Sequence, residues 1–168
     1  MNRLITRTLT TIGAALLCFS VVLPSPVGAQ TSKAHVGTWT LISSDTVRPD
    51  GSRVPTFGGK ATGMLIFGSN GRFIYLFSRA ELPKFASDNR TTGTPDENAA
   101  VVKGSIATYG TYSVEGKIFK VKIEHSTFPN WTGAEQTRTI TVTGDEMKWS
   151  NPAGSGGGVV ELVLKRVK

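Results

Sequence analysis

The 168-residue chain has one cysteine, Cys18, and two histidines, His35 and His125. A single cysteine excludes an internal disulfide framework, and so few thiols and imidazoles exclude a zinc cluster. Familiar catalytic patterns are missing as well. The stretch AGSGG at 153–157 lacks the first glycine of Gly-x-Ser-x-Gly, and no phosphate-cradling glycine loop ends in Lys and Ser/Thr. Neither a metal nor an organic cofactor is therefore expected. There is no internal repeat, and apolar runs longer than a strand are confined to the first thirty residues.

Those thirty residues have the features of a secretory leader. Arg3 and Arg7 precede an apolar stretch from Leu9 to Leu23, and Val27-Gly28-Ala29 offers small residues for cleavage. Gly13, Cys18, Ser20 and Pro24 interrupt the stretch, which is short for the ~20 apolar residues of a spanning helix. We expect a signal peptide over 1–29 and one domain over 30–168. The expected location is the periplasm or the exterior of a bacterial cell, without stable membrane insertion. Leu17 before Cys18 does not fit a lipidated cysteine. The exported part then contains no cysteine and must stand on its core alone.

The chain carries 19 Lys and Arg against 12 Asp and Glu, a formal charge of +7. Without Arg3 and Arg7 the balance is 17 against 12, about +5. The basic residues are spread along strands rather than gathered into a patch, so no nucleic-acid partner is expected.

What the sequence does have is alternation punctuated by glycine, 19 residues of it. Strands are expected near 36–43, 62–67, 72–78, 105–114, 117–125, 134–143, 146–150 and 158–167. Asn70-Gly71, Glu115-Gly116 and Gly144-Asp145 supply tight hairpin turns. In 117–125, Phe119, Val121, Ile123 and His125 fall on one face, and Ile118, Lys120, Lys122 and Glu124 on the other. In 134–143, Gln136, Arg138, Ile140 and Val142 oppose a row of threonines. One segment departs from the pattern. TPDENAAVVKG at 94–104 has a threonine cap, proline at the first helical position and Glu97 at the third, a capping box. The expectation is all-β: an antiparallel, eight-stranded up-and-down barrel with one short helix between strands 3 and 4. A two-sheet sandwich is the alternative.

A resemblance sharpens this. Gly37-Thr38-Trp39 opens the first strand and Arg166 stands near the end of the last. The blocks GTWTLIS, DGSRVPTFGGKATGMLIFGSNGRF, LPKFAS, GTPDENAA, ATYGTYSV and FPNWTGAEQTR, in that order from about 37 to 167, resemble the bacterial lipocalin-like domain family. The resemblance implies a lipocalin-like (calycin) barrel whose floor is closed by Gly37, Trp39 and Arg166, with allene oxide cyclase-like barrels among its relatives. The last strand ends Leu164-Lys165-Arg166, without the aromatic expected before that arginine.

The stretch EHSTFPNWTGAEQTR, 124–138, joins two strands through a loop. Equal parity places His125, Gln136 and Arg138 inward at one open end, with Phe128, Asn130 and Trp131 in the loop. An apolar interior with a few polar groups at its mouth is the usual form of a ligand site. We take His125, Trp131, Asn130, Gln136, Arg138 and Tyr112 as candidate ligand contacts, Arg138 for an anionic group. Arg138 paired with Glu97 or Glu135 is the alternative. Three functions are open on this reading. One is an exported carrier of a small, partly apolar molecule. Another is a cyclase or isomerase using His125 as acid–base with Glu97 or a tyrosine. The third is an envelope module whose barrel is filled by its own side chains. Oligomeric state is not legible.

Overall fold

The structure is a computed structural model that describes residues 33–168. The expected leader, 1–29, and Cys18 lie outside the described residues.

Among the described residues nine strands and one helix occur in chain order: β1 (Gly37–Val47), β2 (Arg53–Pro55), β3 (Ala61–Phe67), β4 (Arg72–Arg79), α1 (Pro95–Gly104), β5 (Ser105–Glu115), β6 (Ile118–Ser126), β7 (Glu135–Thr143), β8 (Glu146–Asn151) and β9 (Val159–Arg166). Short 3-10 turns sit at Lys33–His35 and Pro129–Trp131. All pairings are antiparallel, and β1 also pairs with β9, so eight strands close into a barrel. The ninth, β2, is a flap that folds back on β1 through Asp45↔Pro55 and Val47↔Arg53. Three residues ending in proline show no alternation, so this strand carries no signal in the sequence. Its presence places the helix between β4 and β5 rather than between strands 3 and 4.

Alternation dictates the interior. Leu65 and Phe67 from β3, Phe73, Tyr75 and Phe77 from β4, Phe119, Val121 and Ile123 from β6, and Met147 and Trp149 from β8 are all buried. The same period turns Lys120, Lys122, Lys148 and four threonines of β7 outward.

Two bulges break the period, and both govern the site. In β1, pairing with β9 skips from Leu41↔Leu164 to Ser43↔Val163, leaving Ile42 unpaired. An extra residue reverses the parity of the rest of the strand. Ile42 turns outward, Ser44 turns inward and is buried, and Asp45 turns out toward Arg53 at 3.7 Å. In β6, pairing with β5 skips from Tyr109↔His125 to Gly110↔Ile123, leaving Glu124 unpaired. Gly110 permits this close approach: a Cβ there would lie 2.0 Å from the Lys122 carbonyl oxygen.

One end of the barrel is sealed. Trp39 is fully buried and its indole N–H donates to the His35 carbonyl at 2.8 Å. The Arg166 guanidinium lies 4.2 Å from the Trp39 ring centroid and donates to the carbonyls of Val36, at 3.0 Å, and Ala34. A cation on an indole face, its N–H groups taken up by backbone, closes that end with both groups satisfied. Gly37 (φ 128°) leaves room for it, since a Cβ there would meet Arg166 Nη1 at 3.1 Å. Above this floor His35 contacts Phe67, Tyr112 and Phe119 edge to face.

Candidate functional site

The other end is the mouth, where the loops of β2–β3, β6–β7 and β8–β9 meet over the interior. Beneath them is a cavity of about 40 Å³ lined by Ser44, Thr56, Phe57, Tyr75, Phe77, Ile106, Trp131, Arg138, Trp149, Asn151, Gly154, Ser155, Val160 and Leu162. Three larger concavities, of about 460, 350 and 300 Å³, are open grooves between outward side chains, the third bordered by Ile66, Ile74 and Tyr109. Lys120, Lys122 and Thr137 border the first, and Arg53, Lys148 and Glu161 the second. They do not enclose a ligand, so the chemistry is sought in the small cavity.

Arg138 dominates it. Its place on β7 opposite Phe119 aims it inward, and it is only 2 % exposed. Its guanidinium donates to the Thr137 carbonyl at 3.0 Å and to the Gln136 side-chain oxygen. It lies 5.6 Å from the centroid of Trp131. Among the described residues it has no carboxylate partner within ion-pair distance. Burial pushes the guanidinium down to about 10, and Tyr75 opposes that shift weakly. An arginine so placed still carries its charge at neutral pH.

The bulge in β1 explains the missing acid. Had the period of Trp39 and Leu41 continued, Asp45 would point into the barrel. Instead Asp45 is outside beside Arg53, which also binds Glu161 at 2.8 Å. Ser44 occupies the inward position, 4 % exposed, and its hydroxyl has no hydrogen-bond partner among the described residues. Burial also pushes the Tyr75 hydroxyl up, against a hydrogen bond with Thr108. The cavity thus offers one cation, an unpartnered hydroxyl and the Tyr75 phenol within apolar walls.

The candidates from the sequence divide. Arg138 and Trp131 line the cavity, and Gln136 orients Arg138. Asn130 is exposed on the loop that carries Trp131. His125 is not inward: the unpaired Glu124 turns it to the outer surface, where its ring lies 6.0 Å from that of Tyr109. Tyr112 belongs to the floor, not the mouth. Its hydroxyl donates to the Gly68 carbonyl at 2.7 Å and lies 3.2 Å from His35 Nε2, which leaves the imidazole as donor. Glu97 is half-buried at the start of α1. It accepts from the backbone N–H of Thr94 at 2.7 Å and of Ala86 at 2.8 Å, bonds that hold its carboxyl below the usual range, that to Ala86 most. Neither Glu97 nor Glu135 reaches Arg138.

Tyr75, Ser44, Trp149 and Phe57 are cavity residues that sequence patterning does not single out as a site. Tyr75 is within its reach, since it shares parity with Phe73 and Phe77. Ser44 is not, because no residue type announces the bulge at Ile42. Among the described residues, no three His, Cys, Asp or Glu side chains are grouped to hold a metal ion.

Comparison with known proteins gives the family. No curated protein matches the chain. Among solved structures, a lipocalin-like protein from Bacteroides uniformis ATCC 8492 aligns with a TM-score of 0.45 and 12% identity, covering 80% of this chain and 99% of that one. An uncharacterized protein from Bacteroides eggerthii DSM 20697 aligns with a TM-score of 0.40 and 14% identity over 79% of this chain and 98% of that one. A mutant of the fluorescent protein UnaG aligns with a TM-score of 0.37 and 14% identity, over 80% and 97%. The lipocalin-like domain matches residues 36–166, the whole barrel from the residue before β1 to the closing arginine, and the chain belongs to that family.

Proposed function

We propose that the protein binds a small molecule bearing a carboxylate, which enters the mouth of the barrel and is held by Arg138. The observation that carries this reading is the buried Arg138, without an acidic partner among the described residues, facing a cavity that contains the Ser44 hydroxyl, likewise unpartnered among them. A buried cation left unpaired is a standing cost to the fold. An anionic ligand offsets it through charge-assisted hydrogen bonds, which a guanidinium gives to a planar carboxylate in pairs. Size narrows the class. A volume of about 40 Å³ holds a carboxylate group or two waters, well short of the ~300 Å³ or more of a drug-sized site. The remainder of a larger ligand requires displacement of the roof made by Phe57, Trp131 and Ser155.

The same small volume favours a second reading, a structural barrel filled by Phe77, Trp149 and Tyr75. The acid–base version of an enzyme loses its Glu97 pairing, since His125 is exposed and shares no contact with Glu97 among the described residues, and the tyrosine beside His125 is the exposed Tyr109, outside the cavity. Titration of tryptophan fluorescence with benzoate, hexanoate and hexanol separates the readings, because Trp131 and Trp149 line the cavity. Saturable quenching by the acids, absent with the alcohol and lost in Arg138→Met, is the expected result. No response to any of them selects the filled barrel.

We further infer that residues 1–29 are a leader and that the carrier works outside the cytoplasm. The mass of protein recovered from the periplasm of expressing cells should correspond to a chain beginning at Gln30. A chain still beginning at Met1 contradicts export.

A further inference from the structure

The outside of the barrel is divided. On β6, β7 and β8 the outward positions are charged or polar apart from Ile118 at the start of β6, as in a solvated sheet. On β3 no outward position is charged, and on β4 the charges, Arg72 and Arg79, stand only at its ends. Between them Met64 pairs with Leu76, Ile66 with Ile74, and Ile74 with Tyr109, forming one apolar field across three strands. Ile42, turned out by the bulge in β1, is exposed two residues beyond Thr40, the partner of Met64. These six side chains are each 39–55 % exposed. Half-exposed residues of this size present on the order of 80–100 Å² each, so the field is about 500 Å², at the upper range of what a monomer leaves bare.

We propose that this face is the contact surface of a homodimer, in which β3 and β4 of two copies pack across a two-fold axis. Area is the first argument. A stable interface takes about 800 Å² from each partner, roughly 60 % of it apolar, which matches a field of this size with its rim. Charge is the second. Without Arg3 and Arg7 each copy still carries 17 basic against 12 acidic residues, so two copies repel, whereas this face has no charge at its centre. Its rim holds an internally neutral pair, Arg72 donating to both oxygens of Glu124 at 3.1 and 2.6 Å. A two-fold axis brings like patches together, and a neutral apolar field with a balanced rim is self-complementary. An anionic lipid surface would instead draw the lysine-bearing face of β6. Facing sheets of Ile, Leu and Met interdigitate as the two layers of a sandwich do.

Sedimentation velocity between about 1 and 100 µM, on protein purified from cells expressing the full chain, tests the proposal across the usual range of dimer affinities. Twice the chain mass is expected for wild type. Ile74→Lys and Leu76→Lys should weaken the dimer about a hundredfold or more, while the resulting monomer keeps a cooperative thermal transition. Ile74→Thr, a residue at home on a strand surface, keeps the comparison clean if lysine impairs folding. Ile118→Lys, which alters an exposed isoleucine on β6 away from this face, should leave the dimer intact. A wild-type monomer at the highest concentration overturns the proposal. So does a dimer untouched by Ile74→Thr and Leu76→Lys, or a monomer that co-floats with phosphatidylglycerol vesicles.

Discussion

The Arg138 guanidinium stands charged inside the barrel, and its first consequence is for stability. Burial lowers its pKa to about 10, below the ordinary guanidinium value, so the folded state binds its proton less tightly than the unfolded chain. Below about pH 10 both states hold the proton and the penalty is fully present. Between there and the ordinary value the unfolded chain binds more protons, and stability rises with pH. Arg138→Met removes the penalty and keeps the volume. We expect it to raise urea-unfolding stability by about 1–3 kcal/mol and to abolish the rise above pH 10. Loss of carboxylate binding in that more stable variant marks a site kept for function at a cost in stability. At the floor, Arg166→Ala removes a cation–π contact and two backbone hydrogen bonds from a charged group. Its expected cost is about 2–4 kcal/mol in the same assay, with Arg138 binding unchanged in the folded fraction.

At the scale of the element, the two bulges separate what the sequence reveals from what it hides. Period-two patterning places Phe119, Val121 and Ile123 inside and Arg138 opposite them, because each lies in an uninterrupted run. The same rule carried two residues further puts His125 inside, where Glu124 has already reversed the parity. The hint in the sequence is Gly110, but it stands on the partner strand: its missing side chain admits the Lys122 carbonyl. Gly110→Ala should therefore be severe, about 3 kcal/mol or more by denaturant unfolding, with altered near-UV signals from the aromatic core. Helix α1 shows the opposite case. Its start is fully legible, since Thr94, Pro95 and Glu97 make the cap by themselves. Yet the helix is mostly exposed and buries only Gly104. Thr94→Ala should leave global unfolding nearly unchanged and speed amide exchange in the helix and at Ala86 about fivefold, the effect of losing ~1 kcal/mol locally. Glu97, depressed by its two backbone bonds, supports this segment above its unfolded pKa. That support is lost as pH falls through its folded value, so exchange there should rise in acid.

At the scale of the whole molecule, the closed barrel is legible from strand count and hairpin turns, and its floor from the family resemblance that joins Trp39 to Arg166. The candidate site is not, because it depends on side chains brought together from β1, β4, β7 and β8 by shear and bulges that no local pattern records. Closure is also where the fold is most exposed to truncation. β9 pairs with β1 over eight positions, from Trp39↔Arg166 to Val47↔Val159, and also with β8. The Arg166 bond to Val36 spans 130 residues of chain. Contacts so distant in sequence form late, after loop closure of the intervening strands. A chain ending at Gly158 keeps every hairpin from β3 to β8 but loses the partner edge of both β1 and β8. It also loses Leu162 and Leu164 from the core and the cation over Trp39. Open edges and an uncovered indole should leave it compact but without fixed packing. We expect far-UV circular dichroism of a β protein, no near-UV bands from Trp39 and Trp149, and binding of an apolar dye. A cooperative transition with native near-UV bands in this truncated chain would show that β1–β8 reach their packing without closure.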